Sequence, residues 1–430
     1  MIRIIEDNII AEVNKLIDRA SLTFDRKEEP IVKDILANVA AHGDKALIEY
    51  TNRFDKTNFA HPANLTISRE EIEQAVSTVE PEVFAALTRA IKNIEDHHKQ
   101  QKHESWTYEP EPGASTGIRY TPLASVGVYV PGGTAAYPST VLMNVIPAKV
   151  AGVEEIVMVT PPSSSGEINK YILAAAYLLG VSKIFKIGGA QAVAALAFGT
   201  ETVPRVDKIV GPGNIWVTLA KKQVYGTVAI DKLAGPSDIT VLADSNAPAP
   251  YVAADLLSQA EHDVLASSIA IVLSKEQAQK IQQEVIAQTS KLPRKTIVEA
   301  SLKNYGAIIV VKSVEEMIVI ANTIAPEHLE IMFRDPNEIL PHIKNAGAIF
   351  CGYYTPEPLG DYYAGSNHVL PTGGTSRFES PLGVDDFVKK TSIIQYSREK
   401  ALATIGDIEL LARLEGFDAH AYSMSVRRQL

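Results

Sequence analysis

From the start of the chain to about Lys102 the apolar residues recur every three or four positions, first through IIAEVNKLI and then through IVKDILANVAAHGDKALIEYTNRF. That spacing predicts amphipathic helices with one face turned to a core. Ser68 and Glu71 in SREE have the spacing of a capping box, and Pro81 suits the first turn of the helix PEVFAALTRAIKNIEDH. From Thr121 the texture changes to short runs rich in Val and Ile that alternate with alanine-rich helical stretches, the pattern of a parallel sheet wrapped in helices. SVGVYVPGG, EEIVMVTPP, KIFKIGG and DKIVGPG predict one set of strands; after Pro236, DITVLAD, SIAIVLS, AIIVV and GAIFCG predict a second. Helices return after about Asp385, in REKALATIGDIELLARLEGF followed by DAHAYSMSVRRQL. The expected fold is α/β: two similar modules, each an open, mostly parallel sheet, with a helical N-terminal region and a helical C-terminal tail.

Composition narrows the function classes. At 430 residues, 46% of them hydrophobic, the chain can build two or three cores. No run approaches about 18 uncharged apolar residues, and the first residues carry charge too early for a signal peptide or membrane anchor, so a cytoplasmic location is expected. A net charge of −10, with no basic face, argues against a nucleic-acid partner. The single cysteine, Cys351, excludes an intrachain disulfide and a thiolate cluster; any metal must be held by imidazole, carboxylate and amide groups. Cys351 closes the apolar run GAIFC, where a buried, inert thiol is expected rather than a nucleophile.

Candidate chemistry gathers at a few places. In LLSQAEHD, Gln259 and His262 stand three residues apart, which on a helix sets both side chains on one face. Imidazole is a common zinc ligand and an amide oxygen a harder one; surface or cap positions are the alternative reading, and other residues must complete a site. Asp96, His97, His98 and His103 resemble a metal cluster only on paper, because adjacent helical residues point about 100° apart and KQQKHE around them is expected to be solvated. In the first module the strand-end turns carry Gly132 and Gly133, Gly188 and Gly189 before Gln191, and Gly211-Pro212-Gly213 before Asn214. Open α/β sheets bind ligands at such strand ends, although plain tight turns would look the same and no G-x-G-x-x-G is present. Glu327 and His328 follow Pro326, read as a helix start, and an adjacent acid and imidazole can handle two different protons; an ordinary first-turn acid beside a surface His is the alternative. LGDYYAGSNHVLPTGGTSRF is a long polar loop with Asp361 and His368, dense enough to suggest a site. In the tail, Ile405, Ile408, Leu410, Leu411 and Leu414 form an apolar face that must cover something, read as another subunit, with Glu415 and His420 just beyond.

Taken in order and spacing, VGVYVPGG, GGAQAVAALAFGT, VGPGN, LAGPSD, LLSQAEHD, APEHLE, GDYYAGSNHVLPT and FDAHAYSMSVRR resemble the histidinol dehydrogenase family over nearly the whole chain. The resemblance implies an NAD-dependent homodimer with one zinc per subunit. It would oxidise L-histidinol to L-histidine through L-histidinal with two NAD, the last steps of histidine biosynthesis. By motif, Gln259, His262, Asp361 and His420 are the implied zinc ligands; Tyr129, Gln191 and Asn214 the NAD contacts; Glu327 and His328 the catalytic pair. Ser237, His328 and Glu415, together with the zinc ligands, are the implied substrate contacts. The only departure noted is Asp238, where many relatives carry Glu.

The implied sheets are incomplete Rossmann-like ones. Residues 125–236 form the NAD-binding module, 22–124 with 237–384 the module bearing catalytic and metal residues, and 1–21 with 385–430 a helical extension with an exchanged C-terminal tail. Two alternatives stay open. Relatives of the same fold family oxidise other small alcohols such as a sulfonated propanediol, and would not need Glu415, which suits a positively charged amino alcohol. From another class, a zinc hydrolase or a non-catalytic binding module could use the same pocket.

Overall fold

Two parallel sheets with one shared strand order organise the chain, which the computed structural model describes over residues 2–17, 27–132 and 136–429. The first sheet contains β4 (Ser125–Tyr129), β5 (Glu155–Thr160), β6 (Lys183–Lys186), β7 (Lys208–Val210) and β8 (Ala229–Ile230), side by side as β6-β5-β4-β7-β8. The second contains β1 (Arg3–Ile5), β9 (Asp238–Ala243), β10 (Ser267–Val272), β11 (Gly306–Val310), β12 (His328–Met332) and β13 (Ala348–Cys351), ordered β1-β11-β10-β9-β12-β13. Leaving β1 aside, both sheets follow the same doubly wound pattern: the chain builds outward from a first strand to one side, then returns to its other side. The expectation of two similar modules is met, and every pairing within these two sheets is parallel.

Their strands are apolar without alternation because helices cover both faces. On the first sheet, Val126, Val128 and Met158 pack under α3 (Arg69–Ser77), α4 (Pro81–Lys99), α5 (Pro138–Ala151) and α6 (Lys170–Leu178). Val157, Val159 and Ile209 face α2 (Glu29–Asp55), α7 (Gly189–Phe198) and α8 (Ile215–Val224) on the other side. On the second sheet, Ile239, Val241 and Ile308 pack against α9 (Ala249–Ala260), α10 (Lys275–Thr289) and α11 (Lys295–Tyr305). Leu242, Ile271 and Ile331 face α1 (Ile9–Ile17) and α12 (Val314–Ile324). The Ser68 capping box forms at the start of α3, and Pro81 opens α4 as expected.

The structure differs from the sequence reading in four places. The N-terminal stretch, expected within a helical extension, opens with β1, which lies parallel to β11 with Arg3 opposite Ala307. The helices of residues 29–99 pack on the first sheet rather than with residues 237–384, because their apolar faces match Val157 and Met158 there. The segment after Pro326 is the strand β12, not a helix: its run HLEIM is fully buried and pairs with both β9 and β13. Residues 388–396, within the stretch from 385 expected to be a helical extension, form β14 (Val388–Tyr396), the edge of an antiparallel sheet β14-β3-β2 with β3 (Ala114–Pro122) and β2 (Trp106–Glu111). The expected Gly133 turn and the boundary near residue 22 lie outside the described residues.

The tail itself is helical, as expected, in α14 (Arg398–Leu414) and α15 (Asp418–Ser425). Ile405 is buried within it, whereas Leu410, Leu411, Leu414, Phe417 and Tyr422 remain more than half exposed. No described helix is long and apolar enough to cross a membrane.

Candidate active site

β9 and β12 are neighbours at the point where the second sheet reverses direction of growth, and their amino ends carry Asp238 and His328. Glu327, immediately before β12, accepts the Asp238 N–H at Oε2 (3.0 Å) while its own N–H donates to Asp238 Oδ1 (2.9 Å). His328 Nδ1 lies 3.1 Å from the Asp238 carbonyl oxygen. A carbonyl only accepts, so Nδ1 carries the hydrogen and Nε2 keeps its lone pair. Nε2 points toward Asp361 Oδ1, 3.9 Å away. Burial holds the His328 pKa below that of free imidazole, so the ring is neutral at pH 7. Burial first, and then the Asp238 charge, push the Glu327 carboxyl well above the ordinary carboxylate range. Ser237, partly buried, lies close enough to Glu327 for its side chain to favour the ionised carboxyl.

Of the residues expected to hold a metal, Asp361 lies in a group of close donor atoms, with His328 and Glu357. Asp361 lies in α13 (Glu357–Tyr362), its pKa pushed up to about 8 by burial and then by the neighbouring Glu357. One ligand atom each from His328, Glu357 and Asp361 lies within 4.8 Å of the other two. Gln259 is fully buried on α9, and neither its Oε1 nor its Nε2 has a hydrogen-bond partner. Two unsatisfied amide atoms cost about 1–3 kcal/mol each in a closed site, so their presence at full burial points to a missing ligand. His262 is not on the helix with Gln259, as the spacing suggested: α9 ends at Ala260, and His262 sits exposed in the following turn, its N–H on the Gln259 carbonyl. Even so, its ring is close enough to act electrostatically on both His328 and His368. His368, partly buried, is held down to about 4 by desolvation. Amide, imidazole and carboxylate donors without a thiolate fit a divalent ion of the zinc type.

The NAD candidates stand on the first sheet, at the carboxyl ends of its strands. Tyr129 ends β4; its buried hydroxyl, raised to about 12 by burial, accepts the Gly189 N–H (3.0 Å) at the start of α7. Gly189 sits at φ 63°, a conformation that favours glycine. One turn into α7, Gln191 is buried with an unpartnered Oε1. Asn214 caps α8, its Oδ1 accepting the N–H groups of Trp216 and Val217. At the end of β7, Gly211 lies so close to the Tyr129 carbonyl that a Cβ would meet it at 2.1 Å. These residues surround the switch point between β4 and β7, where doubly wound sheets open a crevice. The two sets of candidates therefore lie at opposite ends of their sheets: carboxyl ends in the first, amino ends in the second. A cleft of about 920 Å³ beside α13, lined by Asp231 and Lys232 and by Phe350 and Leu359, contains none of these candidate site residues in its wall.

A family model described as histidinol dehydrogenase matches residues 18–428. The chain is 52% identical to the histidinol dehydrogenase of Geobacter sulfurreducens over 422 residues, 98% of each chain. It is 55% identical to that of Clostridium acetobutylicum over 397 residues, 92% of this chain and 91% of the other. The crystal structure of histidinol dehydrogenase from Elizabethkingia anophelis superposes with a TM-score of 0.94 at 37% identity, covering 100% of this chain and 98% of that one. The chain belongs to the histidinol dehydrogenase family.

Histidinol dehydrogenases are oxidoreductases of histidine biosynthesis that depend on NAD and zinc. Of the residues expected from the sequence, the histidinol dehydrogenase fold brings Glu327, His328 and Asp361 together, with Ser237 beside Glu327 and the His262 ring within electrostatic reach of His328. It does not bring Glu415 and His420 to them: both are exposed in the tail, where the His420 ring packs on Phe417. Within the pattern at residues 96–103, His98 is fully buried rather than solvated. Its Nδ1–H donates to the Ile94 carbonyl, and its Nε2 faces the Asn367 amide. Cys351 is partly buried with its thiol pKa raised by desolvation, in keeping with an inert group. Sequence reasoning missed Glu357, although its place one turn before Asp361 in EPLGD was a readable signal.

Proposed function

We propose that this chain oxidises L-histidinol to L-histidine through L-histidinal, consuming two NAD, with Glu327 and His328 as its acid–base pair. The observation that carries the reading is the fixed tautomer of His328: Nδ1–H spent on the Asp238 carbonyl leaves a neutral Nε2 facing the Asp361 side of the site. Such a nitrogen takes the proton of the substrate hydroxyl as the alcohol becomes an aldehyde. Glu327, held by Asp238, removes a proton from the water that adds to the aldehyde carbon, and its raised pKa makes it the stronger base once ionised.

Gln259, His262 and Asp361, with His420 of the tail, would hold zinc; Tyr129, Gln191 and Asn214 would contact NAD; and Ser237 and Glu415, with the same ligands and His328, would contact substrate. When bound, zinc orients an amine- and imidazole-bearing substrate as a Lewis acid, and NAD accepts two electrons in each oxidation. The reading includes a cytoplasmic homodimer in which the tail is exchanged, so that Glu415 and His420 complete the partner's site. What supports the exchange is the exposed apolar face of Leu410, Leu411 and Leu414, together with His420 being exposed in the tail and outside the donor group of His328, Glu357 and Asp361. The NAD site falls on the 125–236 module and the metal and catalytic site on 237–384.

Growth of NADH absorbance on mixing the zinc-loaded protein with NAD and histidinol, two NADH per histidinol, is the expected result. Turnover of a sulfonated propanediol but not of histidinol, or no NADH with either, would overturn the reading.

A further inference from the structure

Three buried carboxyls lie next in sequence to the residues just assigned, one helical turn or one strand repeat away, and the scheme above leaves them unused. Asp255 precedes Gln259 by one turn of α9; Glu357 precedes Asp361 by one turn of α13; Glu330 follows His328 by two residues of β12, on the same face of the strand. Asp255 is 8% exposed, Glu330 1% and Glu357 2%.

They are joined through Glu357. Its N–H donates to Glu330 Oε1 (2.8 Å), and its Oε2 accepts the Ser258 hydroxyl of α9 (3.0 Å). Its carboxyl also hydrogen-bonds to that of Asp361, while Asp255 hydrogen-bonds to Glu330. Through its backbone N–H and its carboxylate, this one residue ties α13 to both β12 and α9. Among the described residues no lysine or arginine pairs with any of the four carboxyls. A separate observation points to what is missing: Gln259, next to Ser258 and on the Asp255 face of α9, is fully buried with both amide atoms unpartnered. Four acids and an unsatisfied amide, without a cationic side chain, form a site built for a cation.

We propose that Glu357 is a positioning residue of the metal site: it holds Asp361 and the Ser258–Gln259 end of α9 at the separation that lets them close on one divalent ion, with Glu330 and Asp255 as its support. The proposal rests on the metal assignment given above. It has a consequence that ordinary structural support lacks. In Glu357→Gln the amide oxygen can still accept the Ser258 hydroxyl and the backbone N–H still donates to Glu330, so the metal-free packing is kept while the negative charge that favours a cation beside Asp361 is lost. Neutralising it should weaken metal binding while leaving the metal-free fold as stable as before, or more so.

The test is calorimetric titration of Zn²⁺ into metal-free wild type, Glu357→Gln and His262→Ala, with thermal unfolding of each metal-free protein. Expected are a Zn²⁺ affinity about 10- to 100-fold lower in Glu357→Gln and a metal-free Tm at or above the wild-type value. Should Glu357→Gln not fold, Glu330→Gln takes its place, with a loss of affinity in the same direction and no fall in metal-free Tm expected. Wild-type affinity in Glu357→Gln, with binding lost in His262→Ala, would overturn the proposal alone. A metal-free Tm lowered together with affinity would also overturn it, since a plain packing role predicts that pair. Undiminished binding in His262→Ala would instead overturn the metal assignment beneath it.

Discussion

Glu327 and Asp238 hold each other reciprocally, the backbone N–H of each donating to the carboxyl of the other at 2.9 and 3.0 Å. The two residues come from neighbouring strands, so the acid and the carbonyl that orients His328 are set by a single cross-strand contact. This contact makes one substitution unusually informative. In Glu327→Gln the amide oxygen can still accept the Asp238 N–H, so the geometry is retained and only the titrating group is lost. Aldehyde oxidation should slow by on the order of a hundredfold or more, and alcohol oxidation far less. Rates measured separately with histidinol and histidinal decide it; equal slowing of the two would refute the division of labour.

The metal donors make opposite predictions for binding and folding. His262 is exposed and contributes little to the core, so His262→Ala should fold normally yet carry little zinc by elemental analysis. Gln259→Met should also lose zinc but, by removing two buried unsatisfied amide atoms, should stabilise the metal-free protein by about 1 kcal/mol or more. A metal-free Gln259→Met protein less stable than wild type in denaturant unfolding would show that the amide has partners in the folded chain.

Stability without metal should fall as pH rises above neutrality. Folding lifts the pKa of Asp361 from 3.8 to about 8 and that of Asp255 from 3.8 to about 6. The folded chain therefore keeps protons that the unfolded chain has already released; this stabilisation is full below pH 3.8 and is lost as pH rises through 6 and then 8. His368, lowered from 6.5 to about 4, works in the opposite sense but only below pH 6.5. Between pH 6.5 and 8 the carboxyls act alone, and Asp361 should cost the metal-free protein on the order of 1.5 kcal/mol. Saturating Zn²⁺ should flatten the dependence, since a bound cation takes the place of the proton. A metal-free Tm that rises across this window would contradict the expectation.

Mixed dimers test the exchanged tail. If the zinc site combines Gln259, His262 and Asp361 of one chain with His420 of the other, neither the His262→Ala nor the His420→Ala homodimer has an intact site. A dimer pairing the two variants has one intact site of its two. Unfolding and refolding an equal mixture should restore about a quarter of wild-type activity, half the dimers being mixed. No recovery, with mixed dimers confirmed by mass, would place His420 in the site of its own chain.

By itself the sequence determined the strands that are apolar from end to end, such as DITVLAD and SIAIVLS, because such runs between turn residues have only one way to be satisfied, inside a covered parallel sheet. It also determined the local caps, as at Ser68 and Pro81, where each bond closes within a few residues. A chain with one cysteine had to offer a metal nitrogen and oxygen donors, so the ligand chemistry was readable too. Tertiary structure decided what depends on a distant partner. HLEIM is short enough to serve as strand or helix, and only the hydrogen bonds of β9 and β13 make it a strand with His328 at its head. β14 is largely exposed and carries no burial pattern; it is a strand because β3 supplies its partner groups. The meeting of Asp255, Glu330 and Glu357 was invisible for the same reason: each is an ordinary acid within its own segment, and only the docking of α9, β12 and α13 puts their charges in one dry place.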